Sequence, residues 1–224
     1  MSDIDAAAGR YTTIAGEHRS ELDVKRSRFI TVLQRTETEE EARALVAGLR
    51  REFHDARHHC SAFVLGATRS VQRSNDDGEP SGTAGIPMLE ALTKRETFGG
   101  ATDLSDITAV TVRYFGGILL GAGGLVRAYS ESVSSALAAA PLLRRRRMQL
   151  YAVPASHADA GRLENELRSA GISVTGTDYG TSGASITVAL PDVPGTAEEF
   201  RDRLAALTAG GSTPEPLRTE WIDL

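Results

Sequence analysis

Two glycine-rich segments constrain this chain more than anything else in it. Asn75–Gly85 (NDDGEPSGTAG) and Tyr114–Gly124 (YFGGILLGAGG) each follow a strand-like run and each open into a helical one. Glycine serves where backbone must take positive φ or approach something closely. A loop that delivers unpaired N–H groups to a helix N-terminus is also an anion site. Arg113 precedes the second loop and Arg127 lies in the first turn of its helix, where both can act as forked donors to phosphate or carboxylate. The expected site is therefore one anion- or nucleic-acid-binding surface made of Arg113, Gly116, Gly117, Gly121, Gly123, Gly124 and Arg127. Asp76, Asp77, Glu79, Ser81, Gly82 and Thr83 form its supporting loop, with Asp77 and Glu79 pairing with the arginines. The competing reading is tight strand–helix packing with glycines as spacers. The loop is not a Walker A motif, since no Gly-Lys-Ser/Thr ends it, and it lacks the third glycine of a dinucleotide fingerprint.

Around these loops the hydrophobic periods predict alternating elements. Two strands are expected within Tyr11–Arg35, the stronger at Arg28–Gln34. Thr36 stands three residues before Glu39, a capping-box spacing, and a helix is expected from Glu37 to Phe53. Strands at Ser61–Gly66, Val71–Ser74 and Ile107–Arg113 and helices at Ile86–Lys94 and Leu125–Ala139 follow. Pro141 ends the last of these, and four arginines, Arg144–Arg147, come next. Thereafter Met148–Pro154, His157–Ala170, Ile172–Tyr179, Ala184–Leu190, Thr196–Leu207 and Glu215–Ile222 read βαββαβ, the ferredoxin-like order. The expected fold class is α+β with two domains. Residues 1–10 are a flexible N-terminus, 11–141 the first domain, 142–147 a linker and 148–224 the second domain.

At 224 residues, 41% hydrophobic and 25% charged, the composition excludes a disordered or collagenous chain. Aromatics are only 5%, so the core must rest on Ala, Val, Leu and Ile. Cys60 is the only cysteine and cannot pair within the chain. With no apolar span and no signal-like N-terminus, the expected location is the cytoplasm. A net charge of -5 excludes a general nucleic-acid coater, so any such surface must be a local stripe.

Other constellations are weaker. Asp76, Asp77 and Glu79 could hold Mg²⁺ or Ca²⁺, but capping or pairing with Arg113 and Arg127 is the simpler reading. His54, His58 and Cys60 provide three zinc-type ligands where a structural site needs four. Neither a metal nor any other cofactor is expected. Ser81, Thr83 and Ser130 with His58 as base offer no nucleophile elbow. Arg144–Arg147 could contact RNA phosphates or simply enter a strand with alternate side chains in solvent.

Four stretches stand in a familiar order: Lys25–Ile30 (KRSRFI), Asp55–Cys60 (DARHHC), Ser74–Leu89 (SNDDGEPSGTAGIPML) and Val112–Ser130 (VRYFGGILLGAGGLVRAYS). On these the chain resembles the IMPACT family, in its bacterial YigZ-like branch. The likeness covers Tyr11 to Pro141 by motif and the remainder by pattern. It implies a first domain like the second domain of ribosomal small-subunit protein five, a fold shared with parts of elongation factor G and with galactokinase-type kinases. The appended domain would be like a late domain of elongation factor G. Eukaryotic relatives are linked to control of translation initiation. No RWD-type partner-binding domain is expected here, so that kinase-pathway role is not carried over. A peptidase label borne by some relatives finds no supporting constellation. The resemblance implies a non-enzymatic protein that engages RNA, the ribosome or translation factors. The alternative is an enzyme that binds a nucleotide or phosphorylated small molecule at the same loops. A regulator acting through protein contacts of the C-terminal sheet is a third reading.

Overall fold

A computed structural model describes residues 9–224 of the chain. Most of the segment expected to be a flexible N-terminus lies outside the described residues. The chain forms two compact units, residues 11–144 and residues 145–224, the second joined by residues 9 and 10.

The first unit holds β1 (Arg10–Ile14), β2 (His18–Val24), β3 (Ser27–Arg35), α1 (Glu39–Glu52), β4 (His58–Leu65), β5 (Val71–Asn75), α2 (Gly85–Thr93), β6 (Ile107–Tyr114) and α3 (Ala122–Ala139). Its main sheet is antiparallel in the order β2-β3-β6-β4-β5. Phe29, Leu33, Cys60, Ala62, Val64, Ile107 and Ala109 point to one face, where α2 and α3 cover them with Met88, Leu92, Leu125, Tyr129, Val133 and Leu137. On the other face Val32 and Val110 meet Leu49 of α1. Side chains alternate across a strand, so β3 and β6 feed both cores at once.

Three strands, not two, occupy Tyr11–Arg35. His18–Val24 (HRSELDV) has too few apolar residues to read as a strand, yet it completes a tight hairpin with β3. The helix cap is shifted by two residues. Thr38, not Thr36, accepts from the Glu41 amide at 3.2 Å, and Glu41 reaches back to the Glu37 amide at 2.7 Å. Thr36 is buried instead and hydrogen-bonds Thr108 at 2.6 Å, because β3 carries it into the sheet.

The second unit comprises β7 (Leu142–Ala155, which starts in the first unit), α4 (Ala160–Ser169), β8 (Ser173–Tyr179), β9 (Ala184–Pro191), α5 (Thr196–Thr208) and β10 (Glu215–Asp223). Its strands run antiparallel in the order β10-β7-β9-β8, the ferredoxin-like arrangement. Val153, Leu163, Leu167, Ile186, Val188 and Leu204 build its core.

Residues 142–147 form the first part of β7, and the boundary between the two units falls among them, after Arg144. Arg145, Arg146 and Arg147 pair in register with Asp223, Ile222 and Trp221 of β10, and the Arg147 amide donates to the Gly9 carbonyl at 2.9 Å. The arginines have partners: Arg144 stacks 4.3 Å over Phe98, Arg145 is buried against Asp223 at 2.9 Å, and Arg147 bonds Asp192 at 2.6 Å. Arg144 and Arg147 stay exposed while Arg145 is buried, so the run enters a strand with part of its side chains in solvent. No helix among the described residues is long and apolar enough to cross a membrane.

Because the second unit carries its own core, a fragment starting at Arg145 is expected to fold alone. It should give a cooperative thermal melt and dispersed amide NMR signals. A disordered fragment would show that residues outside it supply part of that core.

Candidate functional site at one end of the first sheet

Strand register gathers the site. His58 of β4 lies opposite Arg113 of β6, and Tyr114 lies opposite Arg28 of β3. The β2–β3 turn, the start of β4 and the loop from β6 to α3 therefore share one end of the sheet. The turn is Lys25-Arg26, both exposed and both at positive φ (47° and 66°). Such a conformation suits a two-residue hairpin but disfavours residues with a Cβ by about 1–2 kcal/mol each. Gly116 lets this turn come close: a Cβ there would lie 1.9 Å from the Arg26 carbonyl oxygen. The Gly116 amide donates to Ser27 Oγ at 3.3 Å.

Beneath the turn lies a buried polar chain. Glu79 accepts from Arg113 Nη1 at 2.6 Å and from the Tyr129 hydroxyl at 2.8 Å. Cys60 Sγ donates to Tyr129 at 3.3 Å. The Arg113 guanidinium sits between the rings of Phe29 and Phe115, 5.5 and 5.7 Å from their centroids. Its Nε is buried without a partner. Burial pushes the Cys60 thiol up to about 12, so it stays protonated and is no nucleophile. Burial also raises Tyr129, which holds its proton on the Glu79 side.

The two helices that leave the glycine-rich loops begin differently. At α2 the anion position is filled from within. Asp76 accepts from the amides of Gly82 (2.8 Å), Ala84 (3.0 Å) and Gly85 (2.8 Å). Burial pushes its pKa up, but these three hydrogen bonds outweigh burial and hold it below the usual aspartate value. At α3 the N-cap is Gly121 at φ 74°, and neither a capping side chain nor an acidic residue occupies the first turn. A Cβ on Gly123 would meet open space. The N-terminal amides of α3 are thus free to take an acceptor.

A cavity of about 350 Å³ opens beside this helix end. Arg57, His58, Glu79, Pro80, Arg113, Phe115, Leu119, Leu120, Gly121, Ala122 and Leu125 line it. His58 Nδ1 donates to the Asp77 carbonyl at 2.9 Å. Phe115, Ile118 and Leu119 are exposed around it.

The expected residues divide accordingly. Arg113, Glu79 and Gly121 meet at the cavity, and Gly116 is a packing device. Gly117 takes φ 85° in the loop, and Gly124 packs on Leu120. Arg113 is already engaged by a carboxylate, so it is not a freely offered phosphate fork. Arg127 is exposed on α3 and does not line the cavity. Asp77 pairs with Arg50 and accepts from the His59 amide at 2.6 Å, and meets neither Arg113 nor Arg127. Asp76 and Gly82 belong to the α2 cap. Thr83 Oγ1 donates to the Pro80 carbonyl at 2.6 Å, and Ser81 is exposed beside it. His54, His58 and Cys60 do not converge, and no group of three His, Cys, Asp or Glu among the described residues is placed to hold a metal. Arg57 and Tyr129 were missed as site members. The register of β4 on β6, and Tyr129 four positions after Leu125, were the available signals.

Fold and site together define a two-domain α+β protein whose glycine-rich loops frame one helix N-terminus and its cavity. The chain matches the Impact N-terminal domain over residues 25–137 and a domain of unknown function, DUF1949, over residues 154–210. It is 40% identical over 190 residues to the IMPACT family member YigZ of Escherichia coli, covering 84% of this chain and 88% of that one. It is 47% identical over 154 residues to the IMPACT family member YvyE of Bacillus subtilis, covering 69% and 67%. A crystal structure described only as a hypothetical protein is 35% identical, with a TM-score of 0.60, covering 94% of this chain and 98% of that one. The chain belongs to the IMPACT family, in its YigZ-like branch.

The glycines of one motif should respond to substitution with opposite signs. Gly116→Ala drives a Cβ into backbone and is expected to destabilise by about 1–3 kcal/mol or more. Gly123→Ala has room and a helical backbone, and should stabilise by up to about 1 kcal/mol. Urea melts of both variants check this.

Asp76 makes stability depend on acid. Its folded pKa is depressed, so its contribution is fully present well above the unfolded value of about 3.9 and is lost as pH falls through the folded value. Asp76→Ala should cost about 0.5–2 kcal/mol at neutral pH and flatten the fall in stability on acidification. An equally steep fall in the variant would assign it to other carboxylates.

Proposed function

We propose that the protein is a non-enzymatic binding module that engages RNA or the ribosome surface in the cytoplasm, in the regulation of translation. The observation that carries this reading is the contrast between the two helix ends. Asp76 accepts from the Ala84 and Gly85 amides that open α2, whereas α3 presents its amides at the mouth of a cavity. Phosphate is the natural acceptor there. Lys25 and Arg26 on the strained turn and Arg57 beside the cavity supply positive charge close by. Tyr114 and Phe115 offer rings on which a base can stack. The link to translation rests on the family resemblance.

A second reading has one observation in its favour. A cavity of about 350 Å³ is within the size range of small-molecule sites. It suits a nucleotide or other phosphorylated small molecule, with Glu79 beside it as a buried carboxylate.

Anisotropy titrations of the whole chain with labelled oligouridylate separate the two. Affinity for oligouridylate should fall with salt, and Arg57→Ala and Arg26→Ala should each weaken binding and reduce the salt slope by about 0.7–1. A Cβ at Gly123 should weaken binding while the fold is kept. Saturable binding of free nucleotides without RNA binding would favour the second reading. If folded variants bind RNA and ribosomes as the parent does, the loops are packing devices.

A further inference from the structure

A groove on the opposite face of the first sheet has no part in the site above. Helix α1 packs over β3 and β6 through Leu49, and a gap remains between it and β5. The resulting groove has a volume of about 520 Å³. Ala42, Arg43, Val46 and Arg50 form its wall, Phe63 its floor and Arg73 its rim.

β5 is the edge of its sheet, paired with β4 alone. Residues Gln72 to Asn75 are exposed throughout. An antiparallel edge strand keeps alternate N–H and C=O groups unpaired on its outer side. One of its carbonyls, that of Gln72, accepts from the Arg73 side chain at 2.9 Å. No proline interrupts the strand.

The guanidinium groups of the groove are loosely held. Arg43 pairs with Glu39 and Arg50 with Asp77, but the arginine side chains remain 72% and 51% exposed. Ion pairs this exposed are worth little and exchange readily. Arg73 has no carboxylate partner among the described residues. Arg43, Arg50 and Arg73 against Glu39 and Asp77 give the groove a positive balance above an apolar floor.

We infer that this groove takes an extended acidic peptide, added as a further strand on β5. Edge amides and carbonyls are satisfied in register by another backbone, which a nucleic acid does not offer. In an added strand every second side chain faces α1. Acidic residues at those positions meet Arg73 on the neighbouring strand and reach across it toward Arg43 on the helix. The peptide's other side chains face away from the groove.

The test is anisotropy of the full chain with a short labelled peptide alternating Glu and Val. Saturable binding is expected, and Arg43→Glu and Arg73→Glu should each weaken it about tenfold or more, with circular dichroism melts to confirm folding. A peptide with Lys in place of Glu should not bind. N-methylation of alternate peptide amides keeps the charges and should abolish binding, because it removes the ladder. Should Arg73→Glu fail to fold, Arg43→Glu on the exposed helix and the N-methylated peptide carry the test. The inference is overturned if the Glu–Val peptide does not bind, if the Lys peptide binds equally, or if N-methylation or the arginine variants leave affinity unchanged. Oligouridylate binding that depends on Arg43 and Arg73, without peptide binding, would assign the groove to RNA and also overturn it.

Discussion

One buried carboxylate ties the first unit together. Glu79 belongs to the first glycine-rich loop, and it bonds the end of β6 through Arg113 and helix α3 through Tyr129. Three separate elements therefore meet on one side chain that is only 8% exposed. Burying the two charges costs several kcal/mol, which only good geometry and further hydrogen bonds offset. Here the hydroxyl of Tyr129 and the flanking rings of Phe29 and Phe115 supply that setting. Removing either partner would leave an uncompensated charge inside the core, a loss of about 3–5 kcal/mol. The pair thus fixes where the loop lies and, with it, where the cavity opens.

The consequence for function is geometric. With Arg113 held by Glu79, the positive potential at the cavity mouth comes from elsewhere: the α3 dipole, Arg57 and the Lys25-Arg26 turn. Asp76 quenches the corresponding potential at α2 with three backbone hydrogen bonds. Two loops of similar composition consequently do different things. One is closed on its own carboxylate and positions Glu79. The other is open to solvent and to whatever acceptor approaches it. The apolar residues of this loop, Phe115, Ile118 and Leu119, remain exposed.

Strain supports the same end of the molecule. Lys25 and Arg26 keep a left-handed conformation that side chains disfavour, and the hairpin tolerates it because β2 and β3 pair along their whole length. Gly116 makes room for the turn. Basic residues are thereby displayed on a hairpin rather than on a long loop, a rigid support for the binding proposed above.

Much of the architecture was legible without coordinates. Hydrophobic period, Gly and Pro punctuation and the βαββαβ order depend on local backbone preferences and on which face of an element is apolar, and these are written in the sequence itself. So were the two glycine-rich loops and the possibility that Glu79 meets Arg113. Long-range register was not. Whether Asp77 finds Arg113 or Arg50, whether Thr36 or Thr38 caps α1, and which strand Arg145–Arg147 pair with all turn on partners many positions away. The same holds for the glycines: composition cannot tell Gly116, pressed against Arg26, from Gly123, facing open space. The sequence alone determined the elements and the residue types available at the site. Only the tertiary structure decided which charges are spent on one another inside the core and which remain for a ligand, because a buried charge takes the partner that packing brings within reach.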